Sequence, residues 1–420
     1  MSLPRRLVVV GAGLLGGSLL AALQLRRADS TLVAVSSDKT LAGLKDRDWC
    51  DELFGYDHLE DACDQADLVL LCAPLSSIHA HLERLSGARD RLARGAIVMD
   101  VGSTKVRVCQ AGFEGFPPEE SDSPRFVGGH PMAGSEKSGL AAADPLLYQS
   151  ALWVLCPPPG LDPVRLEPLK ALLAAVGARG AVLDPRHHDE TVARVSHVPQ
   201  ILSSVLAGWV GSDERLSQAS LALAAGGFRD MTRLAQSSWE VWRDILATNP
   251  KPIARGLREV AIRIDALSKR AHVWSQVESR IVKSGDAERM RKYLEGIHTH
   301  SMVEGFGEGP EEPPSPVLEK AEQAFQDVFS EGKEFRQKFR MPRKGIAHDL
   351  TEFVVRLEDR PGQLLALLEP LSKAGVNVQD LEIMKVREGE TGTVLLGFAT
   401  ADDAQRARAA LATLFLVMEK

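Results

Sequence analysis

The chain has 420 residues, of which 44% are hydrophobic and 25% charged, and a formal net charge of −7. Its length exceeds one simple core and calls for two to four domains at roughly 100–200 residues each. The composition is that of a soluble globular protein rather than a disordered or fibrous one, and the negative balance supplies no general basic face for nucleic acid. Cys50, Cys63, Cys72, Cys109 and Cys156 form neither a CxxC pair nor an even framework. They are expected as free thiols in a reducing compartment, with no zinc site and no other metal. Arg5 and Arg6 before the apolar run Leu7–Leu23 imitate a secretory leader, but Gly11, Gly13, Gly16 and Gly17 interrupt it where a helical leader would lose stability. No other window approaches the ~20 apolar residues that span a bilayer, and a cytoplasmic location is expected.

From Arg6 to about Pro157, short apolar runs alternate with helix-like segments: Leu7–Val10, Thr31–Val35, Asp67–Cys72, Ala96–Asp100, Arg125–Gly128 and Ala151–Cys156. Continuous apolar runs mark strands buried on both faces, so the pattern predicts an α/β domain with a parallel sheet over residues 1–160, closed by Pro157-Pro158-Pro159-Gly160. Between the first strand and the first helix stands Gly11-Ala12-Gly13-Leu14-Leu15-Gly16, followed by Gly17 and Ser18. Gly11 permits the tight turn, Gly13 lets the chain approach a pyrophosphate, and Gly16 lets the helix pack closely on the strand. With phosphate attracted to the helix N-terminus, Gly11, Gly13, Leu14, Leu15 and Gly16 form a candidate dinucleotide loop of Rossmann type. An acidic residue is expected roughly 20 positions past the last glycine. Ser36 stands there, with Ser37, Asp38 and Lys39 next. Asp38 curled back on a ribose favours NAD, whereas Ser36, Ser37 and Lys39 around a 2′-phosphate favour NADP, and both stay open. Ala73 and Pro74 are expected beside the adenosine side of the cofactor.

The segment Gly129–Gly139 (GHPMAGSEKSG) places a proton acceptor, a carboxylate and an ammonium among small and turn-forming residues, which suits a ligand loop. Pro131 fixes its entry, and His130 can accept a proton near neutral pH. Between Asp162 and about His300 the strand signal nearly vanishes while Leu, Ala and Val recur at helical spacing, predicting an all-α domain over 161–300. The stretch Val192–Trp209 is apolar on most sides, which predicts a helix buried either at a dimer interface or inside one subunit. In the overlapping segment HDETVARVSHVPQ (188–200), Asp189, Ala193, His197 and Gln200 fall within about a quarter turn of one another on a regular helix. Residues 301–345 read as a linker, opening with the acidic Gly/Pro-rich Glu304–Pro316 and continuing through the charged, helix-prone Val317–Phe339. Arg340, Arg343 and Lys344 read there as solvated connectors. From Asp349 the order is strand Thr351–Leu357, helix Gly362–Lys373, strands Val376–Lys385 and Gly392–Ala399, helix Ala401–Leu411 and strand Phe415–Glu419. This predicts a βαββαβ unit over 346–420.

Five ordered motifs carry a family resemblance: GAGLLGGSL at 11–19, DVGSTK at 100–105, GGHPMAGSEKSG at 128–139, HDETVARVSHVPQ at 188–200 and GGFRDMTRLAQSSWEVWRDI at 226–245. Together they resemble prephenate and arogenate dehydrogenases. The C-terminal unit resembles an ACT regulatory domain through Glu358-Asp359-Arg360-Pro361-Gly362-Gln363-Leu364. The resemblance implies a Rossmann-type sheet, an all-α dimerisation domain and a βαββαβ ACT domain, in a homodimer that oxidatively decarboxylates prephenate with NAD or NADP. Arogenate is the alternative substrate. His130, in its neutral form, is the implied acceptor of the 4-hydroxyl proton, so activity is expected to rise with pH through a histidine-like transition. Ser103 is similar to the serine that orients this histidine and the hydroxyl, a turn-capping serine being the alternative. Arg233 matches the arginine that clamps a substrate carboxylate, a role suited to its planar fork; an ion pair with Asp230 is the alternative. Glu136 resembles a gating residue, Lys105 and Trp242 are expected to line the pocket, and His197 matches the family motif. Gln200 departs from it, since a second histidine is usual there, and glutamine can hydrogen-bond but carries no charge. Its contact to an anionic group, or the choice between the two substrates, is therefore open. Tyrosine is the implied effector, with Arg360, Pro361, Gly362, Gln363 and Asn377 as contacts; a dimerisation module without ligand is the alternative.

Overall fold

The computed structural model describes residues 3–26, 29–134, 137–212, 220, 222–283, 316–338, 350–358, 360–385, 391–412 and 414–418. The chain divides into two compact units, Met1–Arg340 and Met341–Lys420.

In the first unit, the described strands are β1 (Arg6–Val10), β2 (Thr31–Ser36), β3 (Glu52–Gly55), β4 (Leu68–Leu71), β5 (Ile97–Asp100), β6 (Arg125–Pro131), β7 (Leu152–Cys156) and β8 (Arg179–Val182). They form one sheet in the order β3-β2-β1-β4-β5-β6-β7-β8, so the winding reverses between β1 and β4, where doubly wound sheets open a ligand crevice. Alternate residues of β1 serve opposite faces: Leu7 and Val9 join one buried cluster with Leu19, Leu20 and Leu23, while Val8 and Val10 join another with Val33, Val69 and Ile78. Burial on both sides explains the unbroken apolar runs, each large side chain contributing about 1.5–3 kcal/mol.

The structure corrects several expectations. β7 pairs antiparallel with β6 rather than parallel. Among its described residues the intervening segment has one 3-10 turn, Leu140–Ala142, instead of the crossover helix that parallel neighbours require. The α/β domain does not end at 160 either: β8 pairs parallel with β7, and helix Glu167–Ala175 buries Leu169, Leu172 and Leu173 in the sheet's core. The expected helix Val192–Trp209 is broken into helix Pro185–Val192, a wide π turn Ala193–His197 and helix Val198–Gly211. Pro199 has no N–H and its ring crowds the carbonyl four residues back, so the backbone widens just before it. Helices Trp239–Thr248 and Pro250–Lys283 follow. Part of the expected linker is the helix Pro316–Lys338, whereas the acidic Gly/Pro-rich stretch lies outside the described residues up to 315.

The second unit has β9 (Thr351–Glu358), helix Gln363–Lys373, β10 (Asp380–Lys385), β11 (Thr391–Phe398), helix Ala401–Leu411 and β12 (Val417–Met418). The sheet order is β10-β11-β9-β12 with every pair antiparallel, the expected βαββαβ arrangement. Phe353 and Phe398 stack with centroids 5.1 Å apart over Leu367, Leu371 and Leu411. Among the described residues no helix is long and apolar enough to cross a membrane, and no cluster of three or more His, Cys, Asp or Glu is placed to hold a metal.

Candidate active site

The crevice at the sheet reversal is built from the exits of β1 and β4. Gly11 adopts φ +96°, and its N–H donates to Val35 O at 2.7 Å. A Cβ at Gly11 would lie 2.9 Å from the backbone of Cys72 and Ala73, so this loop rides directly on the β4 exit that carries Ala73 and Pro74. At Gly13 a Cβ would meet nothing within 4 Å. The open ground lies at the N-terminus of helix Leu14–Leu25, beside Leu14 and Leu15, and fits a pyrophosphate held by backbone N–H groups. Ser36 is buried, and the Ala12 N–H donates to its Oγ at 3.4 Å, which ties it into the loop's underside. Asp38 is exposed in the first turn of helix Asp38–Lys45. Pro74 precedes helix Leu75–Gly87, whose Ser76 N–H donates to Asp244 Oδ2 at 3.0 Å and joins the crevice to the helical segment.

Next to this crevice stands a chain of hydrogen bonds that ends on His130, near the end of β6. Its Nδ1 lies 2.8 Å from His188 Nε2, and His188 Nδ1 lies 2.8 Å from Asp189 Oδ1. The Asp189 carboxylate also accepts from the N–H groups of Lys105 at 2.7 Å and Val106 at 2.9 Å, at the start of helix Val106–Gly115. Asp184 fixes the approach of this pair by capping helix Pro185–Val192, accepting from Arg186 and His187 N–H at 2.8 and 3.2 Å, with Pro185 in the first turn. The tautomers follow from the donors. A carboxylate only accepts, so His188 Nδ1–H points to Asp189, and in this arrangement the other ring nitrogen, Nε2, accepts from His130 Nδ1–H. The lone pair of His130 is left on Nε2. Burial, with His188, Lys105 and His197 nearby, holds the His130 pKa well below 6.5. His130 is thus a neutral imidazole at neutral pH, and the protonation step expected near an ordinary histidine value moves to the acid side.

Lys105 does not line an open pocket. Its side chain is fully buried, with Nζ on the Asp100 carboxylate and on Gly129 O at 2.6 Å. Asp100 Oδ2 also accepts from Gly102 N–H at 2.8 Å and its Oδ1 from Gly129 N–H at 3.1 Å, so the ion pair clamps the exit of β5 to the strand bearing His130. Burying either charge alone would be costly, and together they hold the Ser103 loop in place. Ser103 is half-buried between Gly102 and Thr104, and Thr104 Oγ1 donates to Thr248 Oγ1 at 2.8 Å. The ring nitrogen that meets His130 Nδ1 belongs to His188, a residue not singled out from the sequence. Helical periodicity counted from Asp189 passes over its immediate neighbour, although the His-Asp pair following a capped proline was the available signal.

His197 is buried, its ring edge-on to Trp242 with centroids 5.8 Å apart. Asn249 Nδ2 donates to Asp189 O at 2.8 Å and lies 3.4 Å from His197 Nδ1, so the same amide supports both residues. Burial, opposed by Asp189 and reinforced by His188, pulls the His197 pKa down to about 4. Gln200 is not aimed at an open space as a substrate contact would be. Its Nε2 donates to Leu234 O at 2.6 Å and its Oε1 accepts from Ser237 Oγ at 3.1 Å. Both ends of the amide hold the turn Arg233–Gln236, which presents Arg233 exposed. Trp242 is half-buried, and Glu136 lies outside the described residues. In the C-terminal unit Gly362 takes φ +86° before helix Gln363–Lys373, Arg360 Nε pairs with Glu358 Oε2 at 2.9 Å, and Pro361 and Asn377 are exposed.

Known proteins match this chain over most of its length. The family model described as the nucleotide-binding domain of prephenate dehydrogenase matches residues 22–182, and the one described as its dimerization domain matches residues 184–296. A prephenate dehydrogenase of Bacillus subtilis (strain 168) is 28% identical over 408 residues, covering 96% of this chain and 94% of its own length. The solved prephenate dehydrogenase from A. aeolicus, in complex with hydroxyphenyl propionate and NAD+, matches with a TM-score of 0.57 at 26% identity, covering 68% of this chain and 98% of that one. Synechocystis arogenate dehydrogenase matches with a TM-score of 0.55 at 26% identity, covering 68% of this chain and 99% of that one.

Proposed function

Because this chain belongs to the prephenate dehydrogenase family, we infer that it catalyses the oxidative decarboxylation of prephenate to 4-hydroxyphenylpyruvate with NAD, with His130 as the proton acceptor. The observation that carries this reading is the Asp189–His188–His130 chain, which leaves the lone pair of a neutral imidazole on Nε2. In the reaction the C4 hydroxyl of the ring gives its proton to His130 Nε2 as the C4 hydrogen leaves as hydride; the ring carboxylate leaves as CO2, its bonding pair completing the aromatic ring, and the proton returns to the C4 oxygen, which restores the phenol and neutral His130. NAD, when bound, supplies the hydride acceptor. Aromatisation of the ring drives the step, so the protein's share is a fixed geometry, a base and grips for two carboxylates. Arg233 supplies one such grip, Ser103 orients the hydroxyl, Trp242 borders the substrate, and the gating role falls to Glu136. Gly11, Gly13, Leu14 and Leu15 hold the pyrophosphate, and Asp38 takes the ribose.

The C-terminal unit acts as an ACT domain that binds tyrosine at Arg360, Pro361, Gly362, Gln363 and Asn377, so that product formation is fed back on the first unit. Feedback requires tyrosine to bind two states of the enzyme unequally. A homodimer through the helical segment is supported by the exposure of Trp209, Leu223, Met231 and Trp239, apolar surface of the kind that a second subunit covers. A cytoplasmic location fits the five free cysteines. Arogenate is the second reading, in line with the likeness to the Synechocystis enzyme. Initial rates of NADH or NADPH formation with prephenate and with arogenate, with and without tyrosine, test all of this together. Turnover of prephenate with NAD supports the reading, and turnover of arogenate alone overturns it.

A further inference from the structure

The dinucleotide motif contains more small residues than a phosphate requires: Gly17 and Ser18 follow the third glycine on helix Leu14–Leu25, and both are buried. Their surroundings belong to the segment that leaves the catalytic loop. A Cβ at Gly17 would lie 2.9 Å from Leu140 Cδ1 and 3.2 Å from Ala143 Cβ, and one at Gly43 would lie 3.0 Å from Leu140 Cδ2. Ser18 Oγ accepts from the Asp144 N–H at 2.9 Å. Tyr148 donates its hydroxyl to Leu15 O at 2.7 Å, one turn nearer the helix N-terminus. Its ring packs on Trp153 with centroids 5.0 Å apart, and Trp153 pairs across the sheet with Pro131, next to His130. Tyr148 and Trp153 are both fully buried. A continuous packed path therefore runs from the end of the helix that faces the pyrophosphate to the strand that carries the base.

We propose that Gly17, Ser18 and Tyr148 are positioning residues that dock segment Leu140–Tyr148 onto the nucleotide-binding helix and so set the register between bound nicotinamide and His130. This rests on the dehydrogenase reading, yet it assigns these positions to geometry and not to nucleotide affinity. Hydride transfer is sensitive to such register, since a displacement of an ångström or less can cost orders of magnitude in rate.

The test compares wild type, Gly17→Ala, Leu140→Ala, the Gly17→Ala/Leu140→Ala double variant and Tyr148→Phe. Gly17→Ala is expected to lower kcat about tenfold while NAD affinity, measured by fluorescence titration, stays within about twofold. Removing the opposing methyls with Leu140→Ala in the same chain is expected to return most of the rate, a coupling that two independent sites would not show. Tyr148→Phe, which deletes only the hydroxyl, is expected to lower kcat about threefold with NAD affinity unchanged. Independently of turnover, NAD is expected to slow amide hydrogen exchange across 140–148 in the wild type and to lose that effect in Gly17→Ala. Weakened NAD binding in Gly17→Ala without rescue, unchanged kcat in Tyr148→Phe, or an exchange pattern indifferent to NAD would each overturn the proposal. Absence of wild-type turnover with prephenate counts against the activity alone, because the exchange measurement still reads the coupling.

Discussion

Replacing Asp189 by asparagine changes one oxygen to an NH2 and leaves the size of the side chain alone, which makes it a clean probe of the histidine relay. The native carboxylate accepts three N–H groups, from Lys105 at 2.7 Å and His188 at 2.8 Å on Oδ1 and from Val106 at 2.9 Å on Oδ2. An amide has one acceptor oxygen. If that oxygen takes the Oδ1 place, the NH2 faces the Val106 N–H, at about 1–3 kcal/mol for the unsatisfied donor. If it takes the Oδ2 place, the NH2 faces His188 Nδ1 and forces the opposite tautomer, so that His188 Nε2–H donates to His130 Nδ1 and the proton of His130 moves to Nε2. The base is then lost, and in either orientation the negative charge supporting a protonated relay is gone. A positioned base is worth roughly 10²–10⁴ in rate, so kcat is expected to fall by about two to three decades, or about 3–4 kcal/mol. NADH formation from prephenate reads the rate, and circular dichroism with an NAD titration verifies that the variant is folded and binds nucleotide. A folded Asp189→Asn enzyme with kcat within about threefold of wild type would refute the tautomer argument.

Further outcomes follow from the same geometry. Because His130 must be neutral to accept a proton and its pKa lies well below 6.5, kcat/KM is expected to be flat around neutral pH and to fall only on the acid side; a descending limb centred at or above 6.5 in a pH–rate profile would contradict this. His130 and His197 are neutral in the fold, so acidification below about 6.5 should also erode stability until pH near 4, where His197 takes its proton in the folded state. Thermal midpoints across that window check the sign. Lys105→Met leaves Asp100 charged and buried without its partner, an expected loss of about 3–5 kcal/mol in denaturant unfolding; a loss under about 1 kcal/mol would mean the pair is dispensable. Deleting residues 346–420 is expected to abolish inhibition by tyrosine, and unchanged inhibition would put the effector in the catalytic unit.

The sheet was legible where burial is two-sided. β1, β2, β4, β5, β6 and β7 appear as apolar runs because both faces of each are covered, whereas β3 (ELFG) is half-buried and β8 (RGAV) mostly exposed, which dilutes the pattern at the sheet edges. The helical face drawn through Asp189, Ala193, His197 and Gln200 assumed a regular pitch, which Pro199 and the π turn before it do not keep. His130 and Arg233 stand out as candidates from motifs alone. The role of Lys105 could not, because a charged residue after a strand reads as pocket lining until its partner Asp100 is brought beside it by the fold. Gln200 posed the reverse problem: its chemistry was read correctly as neutral hydrogen bonding, but its partners, Leu234 O and Ser237 Oγ, are set by tertiary packing of the Arg233 turn.

The proton-acceptor role of His130 is tested most directly by His130→Ala, assayed for prephenate turnover and for NAD binding on the same preparation. A loss of at least about a hundredfold in kcat is expected, with nucleotide affinity within about twofold of wild type. Turnover close to wild type in that variant would contradict it.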